Sequence, residues 1–512
     1  MAGDEAIPNT DEGRRWSAVL ADLAPIAEIF SADSDEVFDS WYKKLAMAKG
    51  AAGADYGIEA GFQRSMWHEV IATAERFNEP GRFTTFAGFE WSARSGAGPM
   101  IHRNVLFLDG PNRTRQVLPF SRFDSDDPED LWSYLRDYQE RTGGQAFAIP
   151  HNGNLSGGAM FALGRYSGEP LTKEYALSRS RWEPISEVTQ IKGDGESHPL
   201  LSPDDEFAGF EPFPEYFGRK NIGSEAQIAS SFARSALKLG LDLEAETGAN
   251  PFNFGLIGST DSHTGLATAD EDNFWGKMAV AEPSRYRAAS QWQYAASGSA
   301  AVWAHENTRA SLFAAMKRRE VYATTGPRVL IRFFGGWGFA AEDAVRPDLA
   351  RVGYAGGIPM GGDLGKAPQG RSPSFLIGAF KDPDGANLDR VQVIKGWRDA
   401  KGELHERVYD VALSDGRTPD ESGAVEPVGS TVDVSDASYT NGIGDVGFTV
   451  VWSDPDFNPS QRAFYYLRVL EIPTPRWTAH DAKFYRLQDL SEEIPMVIQE
   501  RAYTSPIWYS PG

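Results

Sequence analysis

Three short apolar runs constrain this chain most, because each ends in ionisable residues that a buried strand tolerates only when something compensates their charge. Residues 83–91 (Phe-Thr-Thr-Phe-Ala-Gly-Phe-Glu-Trp) deliver Glu90, and residues 146–151 (Ala-Phe-Ala-Ile-Pro-His) deliver His151. Residues 254–263 (Phe-Gly-Leu-Ile-Gly-Ser-Thr-Asp-Ser-His) deliver Asp261 and His263, and a fourth run, Ile101–Leu108, places His102 at its start. Burying such groups costs several kcal/mol each unless they are paired, and a divalent cation is the simplest pairing. Carboxylate and imidazole side chains gathered at strand ends are how a hydrolytic metal site is built. Gly88 and Gly258, each close to a candidate ligand, permit near approach of a neighbouring backbone or ligand. Taken singly, each of the eight His has an ordinary packing or surface role as its better reading, and the signal comes from their co-occurrence at strand ends.

Composition bounds the class. A chain of 512 residues exceeds one ordinary core and predicts two or three domains. Its 41% hydrophobic and 24% charged content is that of a soluble globular protein. The net charge of −22, with no Lys/Arg-rich block, argues against nucleic acid or an anionic membrane as partner, while a local basic pocket can still bind a small anionic substrate. Without cysteine there is no disulfide, thiolate ligand or cysteine nucleophile. The N-terminus, Met-Ala-Gly-Asp-Glu, has neither a basic n-region nor an apolar h-region, and no run approaches the ~18 apolar residues that span a bilayer. Compartment and oligomeric state stay open, a periplasmic or secreted location being compatible with a longer precursor.

The pattern predicts an α/β chain. Residues 1–80 read as helical and polar, with an apolar stripe from Met66 to Phe77. Asp126-Asp127-Pro128 is a helix start, and Gly143-Gly144 a stop. Further helices are expected over about 224–241 and 308–319, alternating with strands, which favours βαβ units and a parallel or barrel sheet. From Pro327 the character changes to β runs split by turns such as Asp382-Pro383-Asp384-Gly385, with a long loop over 412–445. The expected division is therefore a hydrolase-like α/β domain over 1–326 and a mostly β, sandwich-like domain over 327–512.

Gly88-Phe89-Glu90, Ile101-His102-Arg103-Asn104, Ile149-Pro150-His151 and Ser259-Thr260-Asp261-Ser262-His263 resemble, in order and spacing, motifs of the polymerase-and-histidinol-phosphatase (PHP) superfamily. Over nearly the whole length from Arg64, the chain more specifically resembles the DUF3604 family, a PHP-related group. Ile149–Ser156, Gln190–Asp194, Tyr322–Arg328 and Gln499–Trp508 carry that likeness. The resemblance implies an incomplete, distorted PHP-like (β/α) barrel ahead of the β domain. It departs in one respect: PHP proteins open with a His-x-His strand, and here no His precedes position 68. The expectation is a chain lacking its first strands and half its ligands, with weak metal occupancy and little hydrolysis until they are restored.

The resemblance implies two or three divalent ions (Mn²⁺, Zn²⁺ or Fe²⁺) held by Glu90, His102, His151, Asp261 and His263, with Glu90 bridging. The reaction implied is hydrolysis of a phosphoester or related ester by a metal-bound hydroxide, with Glu90, Asp261 and His198 catalytic. Arg103, Asn152, Asn154, Lys192 and His198 are candidates for binding the anionic substrate. Two other classes remain open: a glycoside hydrolase using Glu90 and Asp261 as its carboxylate pair, and a non-catalytic binding protein with a depleted site.

Overall fold

The computed structural model describes residues 60–95, 99–213, 215–216, 219–220, 224–266, 268–277, 282–421 and 423–511. The expected helical stretch before residue 60 lies outside them. Helix α1 (Ala60–Phe77) leads into three antiparallel strands, β1 (Ala87–Trp91), β2 (Arg103–Phe107) and β3 (Ala146–Pro150), in spatial order 1-2-3. Helix α2 (Pro128–Thr142) lies between β2 and β3 in the chain. Asp127 caps it by accepting from the Glu129 amide, and Gly143 ends it with φ 66°. Trp67, Ile71, Trp91, Val105, Phe107, Leu131 and Leu135 form one core beneath this sheet.

Next come α3 (Lys173–Trp182) and β4 (Ile185–Gln190). β4 pairs antiparallel with the short β5 (Gly193–Asp194) and, after helix α4 (Ala233–Thr247), in parallel with β6 (Gly255–Gly258). The helix expected over 224–241 is two helices, Glu225–Ala229 and α4. The break has a local cause: the Ala233 and Arg234 amides donate to the carbonyls of Gly195 and Glu196, which holds the chain out of one continuous helix.

The first part is mixed α/β with several small sheets, and no closed barrel forms among the described residues. Parallel pairing, expected from the strand–helix alternation, occurs there only between β4 and β6. β1 and β2 are joined by an 11-residue link without a described helix, too short for the crossover that parallel neighbours need. The loop and helix after β2 return the chain to the same sheet end, so β3 also runs antiparallel.

Strands β7 (Ser299–Val302) and β8 (Val321–Thr324) flank helix α5 (Arg309–Lys317). The β-rich run that follows comprises β9 (Leu330–Gly336), β10 (Ser374–Phe380), β11 (Leu388–Arg398), β12 (Leu404–Leu413), β13 (Gly447–Ser453), β14 (Arg462–Glu471), β15 (Arg501–Thr504) and β16 (Ile507–Tyr509). β9, β10 and β13 lie in one sheet, and β11, β12, β14, β15 and β16 in another. The two meet through Ile331, Phe333, Phe375 and Ile377 on one side and Val391, Val393, Tyr465 and Leu467 on the other. The second sheet continues through β15 onto β8 and β7, so hydrogen bonding crosses residue 326 without interruption. β12 and helix α6 (Trp477–Tyr485) were not foreseen from the sequence.

A buried ion network ties α4 to this sheet. Arg234 pairs with Glu196 at 2.7 Å, Asp205 at 2.7 Å and Glu406 at 3.1 Å, while Arg468 reaches Asp205 at 2.6 Å. Burial acts to raise the Asp205 carboxyl, but Arg468 and Arg234 overcome it and hold it well below the usual carboxylate range. A depressed carboxylate contributes stability that is present above its unfolded pKa and lost on acidification. Asp205→Asn should therefore cost about 3 kcal/mol in urea denaturation at pH 7, as expected for a broken buried pair. The wild-type advantage should be flat from about pH 8 to 6 and shrink below about pH 4. A loss under about 1 kcal/mol, or an advantage already shrinking between about pH 8 and 6, would contradict this account.

Candidate functional site

Strand register assembles the first cluster. Trp91 faces Arg103 across β1–β2, and Arg103 faces Pro150 across β2–β3, so the end of β1, the start of β2 and the end of β3 form one row. Glu90, His102 and His151 flank that row. His102 Nδ1 lies 2.8 Å and His151 Nε2 3.2 Å from Glu90 Oε1, and the imidazole centroids are 5.5 Å apart at 74°. Gly88 makes the tight pairing possible, since a Cβ there would sit 2.6 Å from the Val105 carbonyl oxygen.

The trio suits a cation. One donor atom from each residue falls within 4.8 Å of the others, the reach of donors sharing one ion. His151 is 1% exposed; its Nε2 faces Glu90, and its Nδ1 has no hydrogen-bond partner among the described residues, an unusual state for a buried imidazole. Burial acts to raise the Glu90 carboxyl, but the adjoining His102 and His151 outweigh it and hold the group deprotonated, far below the usual carboxylate range. Burial lowers His102, favouring the neutral ring that ligates metal.

Asp261 and His263 follow β6 and build a second cluster. Asp261 has φ 48°, a conformation that non-glycine residues adopt only when their surroundings enforce it. Its Oδ2 accepts from Gln190 Nε2 at 3.0 Å and from Lys277 Nζ at 3.0 Å, and it also contacts Lys192 Nζ. Lys277 Nζ further contacts the Asp261 carbonyl and lies 2.9 Å from His263 Nδ1. Burial acts to raise Asp261, but the two ammonium groups hold it well below the carboxylate range. Burial, with Lys192 repelling, lowers Lys277 to about 8. Gly258 lets β6 pack closely against the paired β7 and β8: a Cβ there would meet the Ser299 carbonyl at 2.7 Å and that of Thr324 at 2.8 Å.

A short polar bridge joins the clusters. Asn152, next to His151 and at φ 60°, accepts from Gln190 Nε2 at 2.7 Å, and the same nitrogen donates to Asp261. Buried Glu187 sits beneath, 3.5 Å from the Asn152 amide and bonded to Ser259 Oγ; burial raises its carboxyl. Asn154 Nδ2 donates to the Lys192 carbonyl at 3.0 Å.

Two sequence candidates sit differently. Arg103, 1% exposed, is paired with Glu183 at 3.0 Å and stacked near Trp91, in a core ion pair. His102 and Arg103 are neighbours on an extended backbone, so their side chains diverge. His198 packs on Phe232 and accepts from the Leu200 amide at 3.2 Å, and its contacts include none of the five proposed ligands. Glu187, Gln190 and Lys277 were missed as site residues. Glu187 and Gln190 carry a signal, being polar in a strand, Ile-Ser-Glu-Val-Thr-Gln, that is buried throughout. Lys277 carries none, since only the fold brings it to Asp261.

A second ligand-type group, Asp399, Glu403 and His405, lies in the β11–β12 turn, where Asp399 Oδ1 accepts from the Lys401 and Glu403 amides and His405 stacks on Trp397. Its bonds are those of a turn. A cavity of about 460 Å³ lined by Phe207, Phe210, Arg476 and Arg501 contains none of the candidate ligands.

The chain matches the family described as "Protein of unknown function (DUF3604)" over residues 6–511. It belongs to the DUF3604 family. No curated protein and no solved structure matches the chain. As a DUF3604 member it has candidate metal-binding residues among its described residues and no described helix long and apolar enough to cross a membrane.

Glu90→Gln, His102→Ala and His151→Ala should each weaken Mn²⁺ or Zn²⁺ binding more than about 100-fold in metal titrations. His405→Ala should leave it unchanged. Equal losses from His405→Ala, or none from the three, would contradict this assignment.

Proposed function

We propose that this DUF3604 protein is a metal-dependent hydrolase of the PHP type, acting on a phosphoester or a related ester. The observation carrying this reading is the meeting of Glu90 and two imidazoles, one a buried ring whose Nδ1 has no hydrogen-bond partner among the described residues, beside the two lysines that pair with Asp261. A PHP-like barrel is part of the proposal, with β1–β3, β4 and β6 as its strands.

Glu90, His102 and His151 are the residues that would hold the ion, Mn²⁺, Zn²⁺ or Fe²⁺ by donor type. When bound, such an ion supplies Lewis acidity and a nucleophilic water at neutral pH. The chain's own residues do the rest. Lys192 and Lys277 present ammonium groups to an anionic substrate oxygen. Gln190 and Asn152 fix the distance between the two clusters, so a substrate held at one is presented to the other. His263, half-exposed beside Asp261, would exchange a proton with the leaving group.

The glycoside hydrolase reading is less favoured. Its general acid must stay protonated near neutrality, whereas both Glu90 and Asp261 are held deprotonated. Turnover of an aryl phosphate ester should vanish in chelator and return with Mn²⁺, Zn²⁺ or Fe²⁺, and His151→Ala should lower it more than about 100-fold. Hydrolysis that persists in chelator would contradict the proposal.

A further inference from the structure

The ligand set expected from the PHP resemblance counts Asp261 alongside Glu90, His102 and His151, but the surroundings of Asp261 differ from those of the trio. Both lysine ammonium groups and the Gln190 amide converge on one of its oxygens, Oδ2. The lysine side chains are only 5% and 1% exposed. The trio, by contrast, has no lysine or arginine paired to it among the described residues, and the Nδ1 of its buried His151 has no hydrogen-bond partner there. A divalent ion at Asp261 would either displace two ammonium groups from Oδ2 or bind Oδ1 beside them, in both cases against their repulsion. Asp261 is their ion-pair partner, with buried Glu187, His151 and His263 the other ionisable groups near it. Two buried ammonium groups share one oxygen of Asp261, while the neighbouring Glu187 carboxyl is bonded to Ser259 and raised by burial, so a substrate anion can complete the balance of charge.

The geometry points to a centre that takes one divalent ion, on Glu90, His102 and His151, in which Lys192 and Lys277 replace a second ion and form the receptor for the phosphoryl oxyanion of a phosphomonoester. This rests on the metal-hydrolase reading above and narrows its substrate to an ester with a free anionic phosphoryl group. Lys277 is then a substrate-positioning residue supplied from outside every motif recognised in the sequence. A compact, strongly hydrated ammonium acts as a point charge towards phosphate, and two of them suit its multiple oxygens.

The test uses the full chain. Metal-free protein is titrated with Mn²⁺, bound metal is counted after desalting, and inorganic phosphate binding to the loaded protein is measured by calorimetry. Wild type should hold one equivalent, and so should Asp261→Asn. Lys277→Met should keep that equivalent while binding phosphate at least about 10-fold more weakly, the loss expected for one charged contact. Should Lys277→Met lose its native circular dichroism, Lys192→Met serves in its place. Two equivalents in wild type, loss of the equivalent in Asp261→Asn, or unchanged phosphate affinity in the lysine variant would each overturn the inference. Zero equivalents in wild type would instead remove the metal reading. Phosphate binding to the metal-free chain then decides the lysine pair: weakening by Lys277→Met supports it and unchanged binding refutes it.

Discussion

The candidate site depends on one constraint, the antiparallel register of β1, β2 and β3. Pairing Trp91 with Arg103 and Arg103 with Pro150 fixes the three chain positions at one sheet edge. A slip of one residue on any strand would turn its side chains to the opposite face. Register is itself held by the core beneath, where Trp67, Val105, Phe107 and Leu135 are buried together. The Arg103–Glu183 pair, joined by Trp132 Nε1 at 2.9 Å, pins the middle strand from the other side. Packing specifies the sheet, and the sheet brings together charges that would otherwise repel or demand water.

The two clusters solve the problem of buried charge differently. Around Asp261, the protein supplies its own cations. Around Glu90, it supplies two imidazoles, one of which, His102, burial biases towards its neutral form, while the Glu90 carboxylate keeps a negative charge that an external cation can neutralise. The bridge of Asn152 and Gln190 keeps the arrangements side by side. Both residues at which the backbone is forced to positive φ near the site, Asn152 and Asp261, belong to this bridge, which places local strain where functional geometry is set.

Much of this was legible in the sequence, and the boundary is physical. Strand runs ending in Glu90, His151 and Asp261, and one opening with His102, were visible because polar residues stand out against apolar neighbours. Helix α2 was visible because Asp127 and Gly143 supply its caps locally. Sheet order was not, since pairing is decided by contacts distant in sequence: alternation suggested parallel neighbours, and the short link from β1 to β2 gave an antiparallel pair instead. Arg103 was a substrate-binding candidate beside the ligand-type His102, and only the fold shows that it is buried in an ion pair with Glu183. Lys277 stands in no recognisable pattern. Nor could residues 327–512 reveal that their last strands continue the sheet of β7 and β8.

The most direct test of the account is to locate the metal. Crystals of the Mn²⁺- or Zn²⁺-loaded protein, with anomalous scattering collected at the metal edge, should show one strong peak about 2.0–2.2 Å from Glu90, His102 and His151 together, the usual length of such bonds. A peak at Asp399, Glu403 and His405 instead, or none at the end of β3, would contradict it.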